Sequence, residues 1–307
     1  MNVLNDESIK KGEVKMTMEI GLNLFSVFRE LNEDYFGTLE KVAQIGYKNI
    51  ELISANFSTG ERFSDTFSLP VIKQKFDELG LKAFAAHEGV APGKALLDAD
   101  WDKIIQENAT LGCQSIVFPM AFISGREDTL QTAEHLNQIG KKCKEAGMNF
   151  YYHNHAHEFK RIGETSLFEL LVENTDPANV KFELDLVWVM RGGYDPLALL
   201  EKLGNRCDMI HQKDLGKHVN PVSLFTASSQ EESNDLMKIY TEYVKPNDFV
   251  NLGTGIVNFQ ETYQKLNELG YIRYAIVENE GQLGDKFTSI SGDLTVMEKS
   301  VKGLIKN

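Results

Sequence analysis

From Met18 onward the chain alternates short apolar runs with amphipathic stretches that stop at a glycine or a polar turn, and it does so eight times. The runs read as strands are Glu19 to Leu24, Asn49 to Ile53, Lys82 to His87, Ser115 to Pro119, Asn149 to Asn154, Val180 to Asp185, Asp208 to Lys213 and Tyr274 to Asn279. Between them lie stretches with helical spacing, such as VIKQKFDELG ending at Gly80 and DKIIQENATLG ending at Gly112. Strands joined by helices build a parallel sheet, which with eight units either closes into a (β/α)8 barrel or stays open and doubly wound. No G-x-G-x-x-G opens a helix. The G-x-G at Gly253 and Gly255 comes late, lacks the third glycine and reads as a turn. A barrel also fits the length, because 307 residues would otherwise ask for two domains of roughly 150 residues each. The expected fold class is therefore α/β, a (β/α)8 TIM barrel over residues 18–307, preceded by a loose tail at 1–17.

The polar balance narrows the partners. Asp plus Glu make 45 and Lys plus Arg 32, a net charge of −13 that offers no attraction to phosphate backbones or anionic membranes, so nucleic acid and membrane are not expected as partners. The three cysteines, Cys113, Cys143 and Cys207, lack C-x-x-C spacing, which argues against a disulfide framework or a zinc-thiolate site and for a cytoplasmic location. The N-terminus has no signal-peptide stretch, and no run is long and apolar enough for a span. Homo-oligomer formation is left open. A long connection after the seventh strand, containing the polar patch Ser228 to Asp235, reads as an excursion of the kind that often forms a lid.

In such a barrel the active site gathers at the C-terminal ends of the strands. There the sequence places Glu51, His87 and Glu88, then HNHAHE (His153 to Glu158), Asp185, His211, Lys213, Glu278 and Glu280. Asp185, His211 and Glu278 interrupt or close strongly apolar runs, where an ionised group is costly unless paired or coordinated. Two carboxylates, an imidazole and a donor from the fifth strand form a mixed oxygen and nitrogen set suited to one divalent metal, Mn²⁺, Mg²⁺, Zn²⁺ or Co²⁺. Phe25, Phe57, Phe122 and Trp188 are aromatic candidates for a sugar's apolar face.

The stretches YHNHAHEF, VKFELDLVWV, MIHQKD, LGTGIVNF and AIVENE, in this order, resemble the sugar phosphate isomerase/epimerase family with its xylose isomerase-like barrel. That superfamily includes xylose isomerases, ketose 3-epimerases, inosose dehydratases, 3-keto-glycoside lyases and apurinic endonucleases. The resemblance implies a metal held by Asp185, His211 and Glu278, with a fourth ligand from HNHAHE that is either Glu158 or His153; Glu158 is preferred because oxygen suits a hard cation. It further implies His155, Lys213 and Glu280 as acid/base or oxyanion groups, with His157 a weaker candidate, and Glu51, His87, His153 and Trp188 as substrate contacts. An endonuclease is disfavoured by seven histidines in total and the net charge of −13. The expected activity is isomerisation or epimerisation of a small carbohydrate, a ketose or keto-sugar, through an enediolate. Dehydration or 3-keto-glycoside elimination on the same barrel is the alternative, and a non-catalytic sugar-binding barrel the rival outside enzymology.

Overall fold

The computed structural model describes residues 18–54, 62–64, 66–90, 95–219, 224, 236–281 and 284–303. Eight strands, β1 (Glu19–Asn23), β2 (Asn49–Ile53), β3 (Lys82–His87), β4 (Ser115–Phe118), β5 (Asn149–His153), β6 (Lys181–Asp185), β7 (Met209–Gln212) and β8 (Tyr274–Val277), form one closed barrel. Each pairs in parallel with its neighbour in sequence, and β8 pairs with β1. All eight expected strands are present. The tail at 1–17, Phe57 and the Ser228 to Asp235 patch lie outside the described residues. Among the described residues no helix is long and apolar enough to cross a membrane.

The crossovers are α1 (Tyr35–Ile45), α2 (Leu69–Leu79), α3 (Trp101–Leu111), α4 (Arg126–Glu145), α5 (Leu167–Asn174), α6 (Pro196–Leu203), α7 (Phe259–Leu269) and α8 (Lys286–Val301). Their starts are set by side chains: Asp34, Asp100, Asn258 and Asp285 each accept a backbone N–H from the first turn of the helix that follows. Gly80 and Gly112 end α2 and α3 in the left-handed region, at φ 64° and 90°, which a side chain would resist.

Alternation along the strands sorts the side chains. Phe150, Tyr152, Phe182, Leu184, Ile210, Ala275 and Val277 point outward into the core shared with the helices. Inside, Phe84, Val117, Tyr151, Met209, Tyr274 and Ile276 form a separate apolar plug, with the Phe84 and Tyr274 rings stacked at 4.3 Å. The same period carries three strands up the inside of the barrel: Tyr151 then His153 on β5, Glu183 then Asp185 on β6, Met209 then His211 on β7. Register places His153 opposite Glu183 and Asp185 opposite His211. The plug therefore closes the bottom of a funnel whose upper walls are titratable.

Candidate active site

Directly above the plug, six side chains meet. Glu51 Oε2 accepts hydrogen bonds from Asn23 Nδ2 at 2.8 Å and from His211 Nε2 at 2.7 Å. Glu183 Oε2 lies 3.0 Å from His87 Nε2, 3.1 Å from His153 Nδ1 and 3.2 Å from His211 Nε2. Burial works against charge on His87, but Glu51 and Glu183 outweigh it and lift the imidazole to about 9. Burial and the Glu51 charge raise Glu183 to about 7. His153 goes the other way, held well below the usual range by burial and by the positive charge around it, so it stands neutral.

The rim lies one layer higher. Lys213, only 2% exposed, sets its ammonium 2.6 Å from Glu278 Oε2, 2.7 Å from Glu280 Oε1 and 2.9 Å from Asp185 Oδ2. Burial alone would strip its charge; the three carboxylates reverse this and hold it well above the ordinary lysine value. Glu278 also accepts from His211 Nδ1 at 2.6 Å, and despite burial Lys213 and His211 keep it ionised far below the usual range. Burial raises Asp185 and Glu280. Asp185 additionally caps the helix Leu186–Arg191 by accepting the Trp188 N–H at 2.8 Å. One donor atom each from His153, Asp185, His211 and Glu278 fall within 4.8 Å of one another, all four buried. Two carboxylates and two imidazoles so placed fit a divalent cation of intermediate hardness.

Glu158, preferred in sequence as the fourth donor, does not join this group. It is buried in the loop after β5, where Oε1 accepts the Tyr152 hydroxyl at 2.8 Å and Oε2 the His155 backbone N–H at 3.0 Å. That loop turns back through a single 3-10 turn, His157–Phe159, which points the carboxylate at its own backbone. His157 is also bound to structure. Its Nε2 donates to the Ala121 carbonyl at 2.7 Å, so its Nδ1 accepts from the Tyr240 hydroxyl at 3.0 Å, and neither nitrogen is free for proton transfer. Glu88 turns from the pocket to a bidentate pairing with Arg62, both bonds 2.7 Å. Phe25 and Phe122 are exposed.

His155 and Trp188 are brought together at the mouth, their rings 5.4 Å apart, with His155 Nδ1 and Trp188 Nε1 buried and lacking hydrogen-bond partners. Burial, then the charges of His157 and Lys213, keep His155 neutral. Tyr240, from the helix Leu236–Tyr243 of the excursion after β7, packs edge-on against both rings and accepts the Ala156 and His157 backbone N–H groups. The glycines of LGTG are explained as a turn: the Asp214 carboxylate accepts the N–H groups of Leu215, Gly253, Gly255 and Val257. A Cβ on Gly255 would collide with that carboxylate. Asp214 is thereby committed to this turn, and its neighbour Lys213 pairs with Glu280 instead. Glu183, Asn23 and Tyr240 were not singled out in sequence. The signal for Glu183 was present, two residues before Asp185 on one strand and so on the same face.

The sequence profile of the xylose isomerase-like TIM barrel matches residues 39–299. The chain belongs to that family. Among curated proteins it is similar to the inosose dehydratase of Geobacillus thermodenitrificans, 30% identical over 145 residues that cover 47% of this chain and 45% of that protein. The chain thus spans about half the length of the first curated relatives it matches. A sugar phosphate isomerase/epimerase from Parabacteroides distasonis shares the fold at a TM-score of 0.71 and 24% identity, covering 99% of this chain and 100% of that one. The IolI protein, solved with a bound zinc atom, shares it at a TM-score of 0.70 and 14% identity, covering 94% of this chain and 100% of its own.

Proposed function

We propose that the protein is a divalent-metal-dependent lyase that dehydrates a keto-polyol, an inosose or a close relative of one. The observation that carries this reading is the rim itself, where the donor group of His153, Asp185, His211 and Glu278 adjoins the Lys213–Glu280 pair. The sequence put isomerisation or epimerisation first and elimination second. The dehydratase names of the curated relatives support the opposite order. A divalent ion held by those four side chains would polarise the ketone and make its α-proton more acidic.

The chain's own groups divide the remaining work. Glu280, whose proton affinity burial has raised, or the neutral His155, takes the proton from the carbon α to the ketone. Lys213 faces the oxygen that gains charge. As the α C–H electrons form the new C=C bond, the β C–O bond breaks, and the hydroxyl departs as water after receiving a proton from a rim acid. Trp188 Nε1 and His155 Nδ1 lie free to bind hydroxyls of the ring. Incubating the purified protein with an inosose and Mn²⁺ or Co²⁺ in D₂O tests this. The expected product has lost one water and absorbs in the ultraviolet as a conjugated enone or its enol; conversion to an isomer of unchanged mass would return the protein to the isomerases.

The fourth ligand has its own test. His153→Gln is expected to weaken Mn²⁺ or Co²⁺ binding by about 10-fold or more, whereas Glu158→Gln changes it little and instead loosens the loop after β5. Isothermal titration of the two variants decides the order, and a greater loss in Glu158→Gln would reinstate the carboxylate.

A further inference from the structure

We propose that the barrel floor is a second cation site, formed by the imidazoles of His87, His153 and His211 with Glu183, distinct from the rim and suited to a nitrogen-preferring ion such as Zn²⁺ or Co²⁺. Three imidazole nitrogens converge on one oxygen, Glu183 Oε2, at 3.0, 3.1 and 3.2 Å. The three rings form a cup, with centroids 5.2 Å apart for His87 and His153, 5.3 Å for His87 and His211, and 4.5 Å for His153 and His211. Donor atoms from all four residues lie within 4.8 Å of one another. Ligands about 2.0 Å from a tetrahedral zinc stand about 3.3 Å apart, close to the three nitrogen–oxygen separations found here.

Hydrogen bonding alone accounts poorly for the cluster. A carboxylate has two equivalent oxygens with room for about four donors. Here Glu183 Oε2 is crowded by three rings while Glu183 Oε1, equally buried, has no partner. Glu51 repeats the imbalance: Oε2 takes Asn23 and His211, and Oε1 is also buried without a partner. An ion held between the three nitrogens and Glu183 Oε2 would replace the crowded hydrogen bonds with coordination and offset the two buried negative charges. His211 links the levels, since Nδ1 faces Glu278 at the rim and Nε2 faces the floor. With both positions filled, His211 and His153, which belong to both groups, would each bridge through both ring nitrogens as an imidazolate, their protons released to solvent.

The inference shares His153 and His211 with the rim site of the proposed function, so the variants are chosen where the two differ. Apoprotein prepared with a chelator is titrated with Co²⁺, following both stoichiometry and the visible bands of the bound ion. Wild type is expected to bind two equivalents; His87→Asn and Glu183→Asp each lose the floor equivalent and its visible bands, while Asp185→Asn loses the rim equivalent and keeps the floor one. His87 is the milder replacement because its side chain is 11% exposed at the cluster's edge. Glu183→Asp keeps the charge and withdraws the oxygen, and thermal melts of the apoproteins confirm folding. One equivalent in wild type that survives His87→Asn and vanishes in Asp185→Asn would overturn the floor site and uphold the rim. One equivalent that vanishes in His87→Asn and survives Asp185→Asn would uphold the floor and overturn the rim.

Discussion

Asp185→Ala is expected to cost the rim its ion: Mn²⁺ or Co²⁺ affinity there should fall by more than roughly 100-fold and dehydration by about 1000-fold. Asp185 supplies one of only two carboxylates in the rim donor group. Its other oxygen caps the helix Leu186–Arg191, so alanine also removes the bond to Trp188 N–H and shifts the indole at the mouth. Asp185→Asn separates these effects, because the amide oxygen can still cap while the negative charge is gone. Metal analysis after gel filtration, with turnover at saturating metal, measures both. Full occupancy in the alanine variant would remove Asp185 from the donor set.

Lys213→Met should be the most destabilising substitution at the rim when metal is absent. It leaves Asp185 and Glu278 buried and Glu280 partly buried around a thioether, and removing one partner from a buried ionic group costs about 3–5 kcal/mol. For a chain of this size the melting temperature should fall on the order of 10 °C. A divalent ion supplies the missing positive charge, so Mn²⁺ should restore much of the loss in the variant while shifting wild type less. Adding Glu280→Gln should also recover part of it, by deleting one of the stranded charges. A variant that melts like wild type without metal would show that the three carboxylates take up protons and need no ammonium.

The barrel was legible because strand, helix and glycine stop recur in every unit, a pattern that depends only on neighbours in the chain. The rim was legible for a related reason, since carboxylates and imidazoles that close apolar strands have few structural uses. The floor was not. KFELD alternates and puts Glu183 on the same face as Asp185, but nothing local in that strand shows that His87 and His153, on two other strands, converge on the Glu183 carboxylate. Chemical preference misled at the fifth strand: a hard cation favours carboxylate over imidazole, but the 3-10 turn after β5 commits Glu158 to Tyr152 and the His155 backbone. Tyr240 was out of reach altogether, because its partner His157 is 83 residues away and nothing local in either stretch marks the contact.

The Tyr240 hydroxyl gives the mouth of the barrel a shared ownership. Two backbone amides and one imidazole in the loop after β5 are satisfied by a phenol from the excursion after β7. Neither segment can therefore be exchanged alone. A chimera that takes the excursion from a relative without a phenol at this position would leave the Ala156 and His157 N–H groups without their acceptor, at about 1–3 kcal/mol for each left buried. The His155 ring would lose its neighbour in the same stroke. For anyone redesigning the substrate range of this barrel, the two loops are a single module.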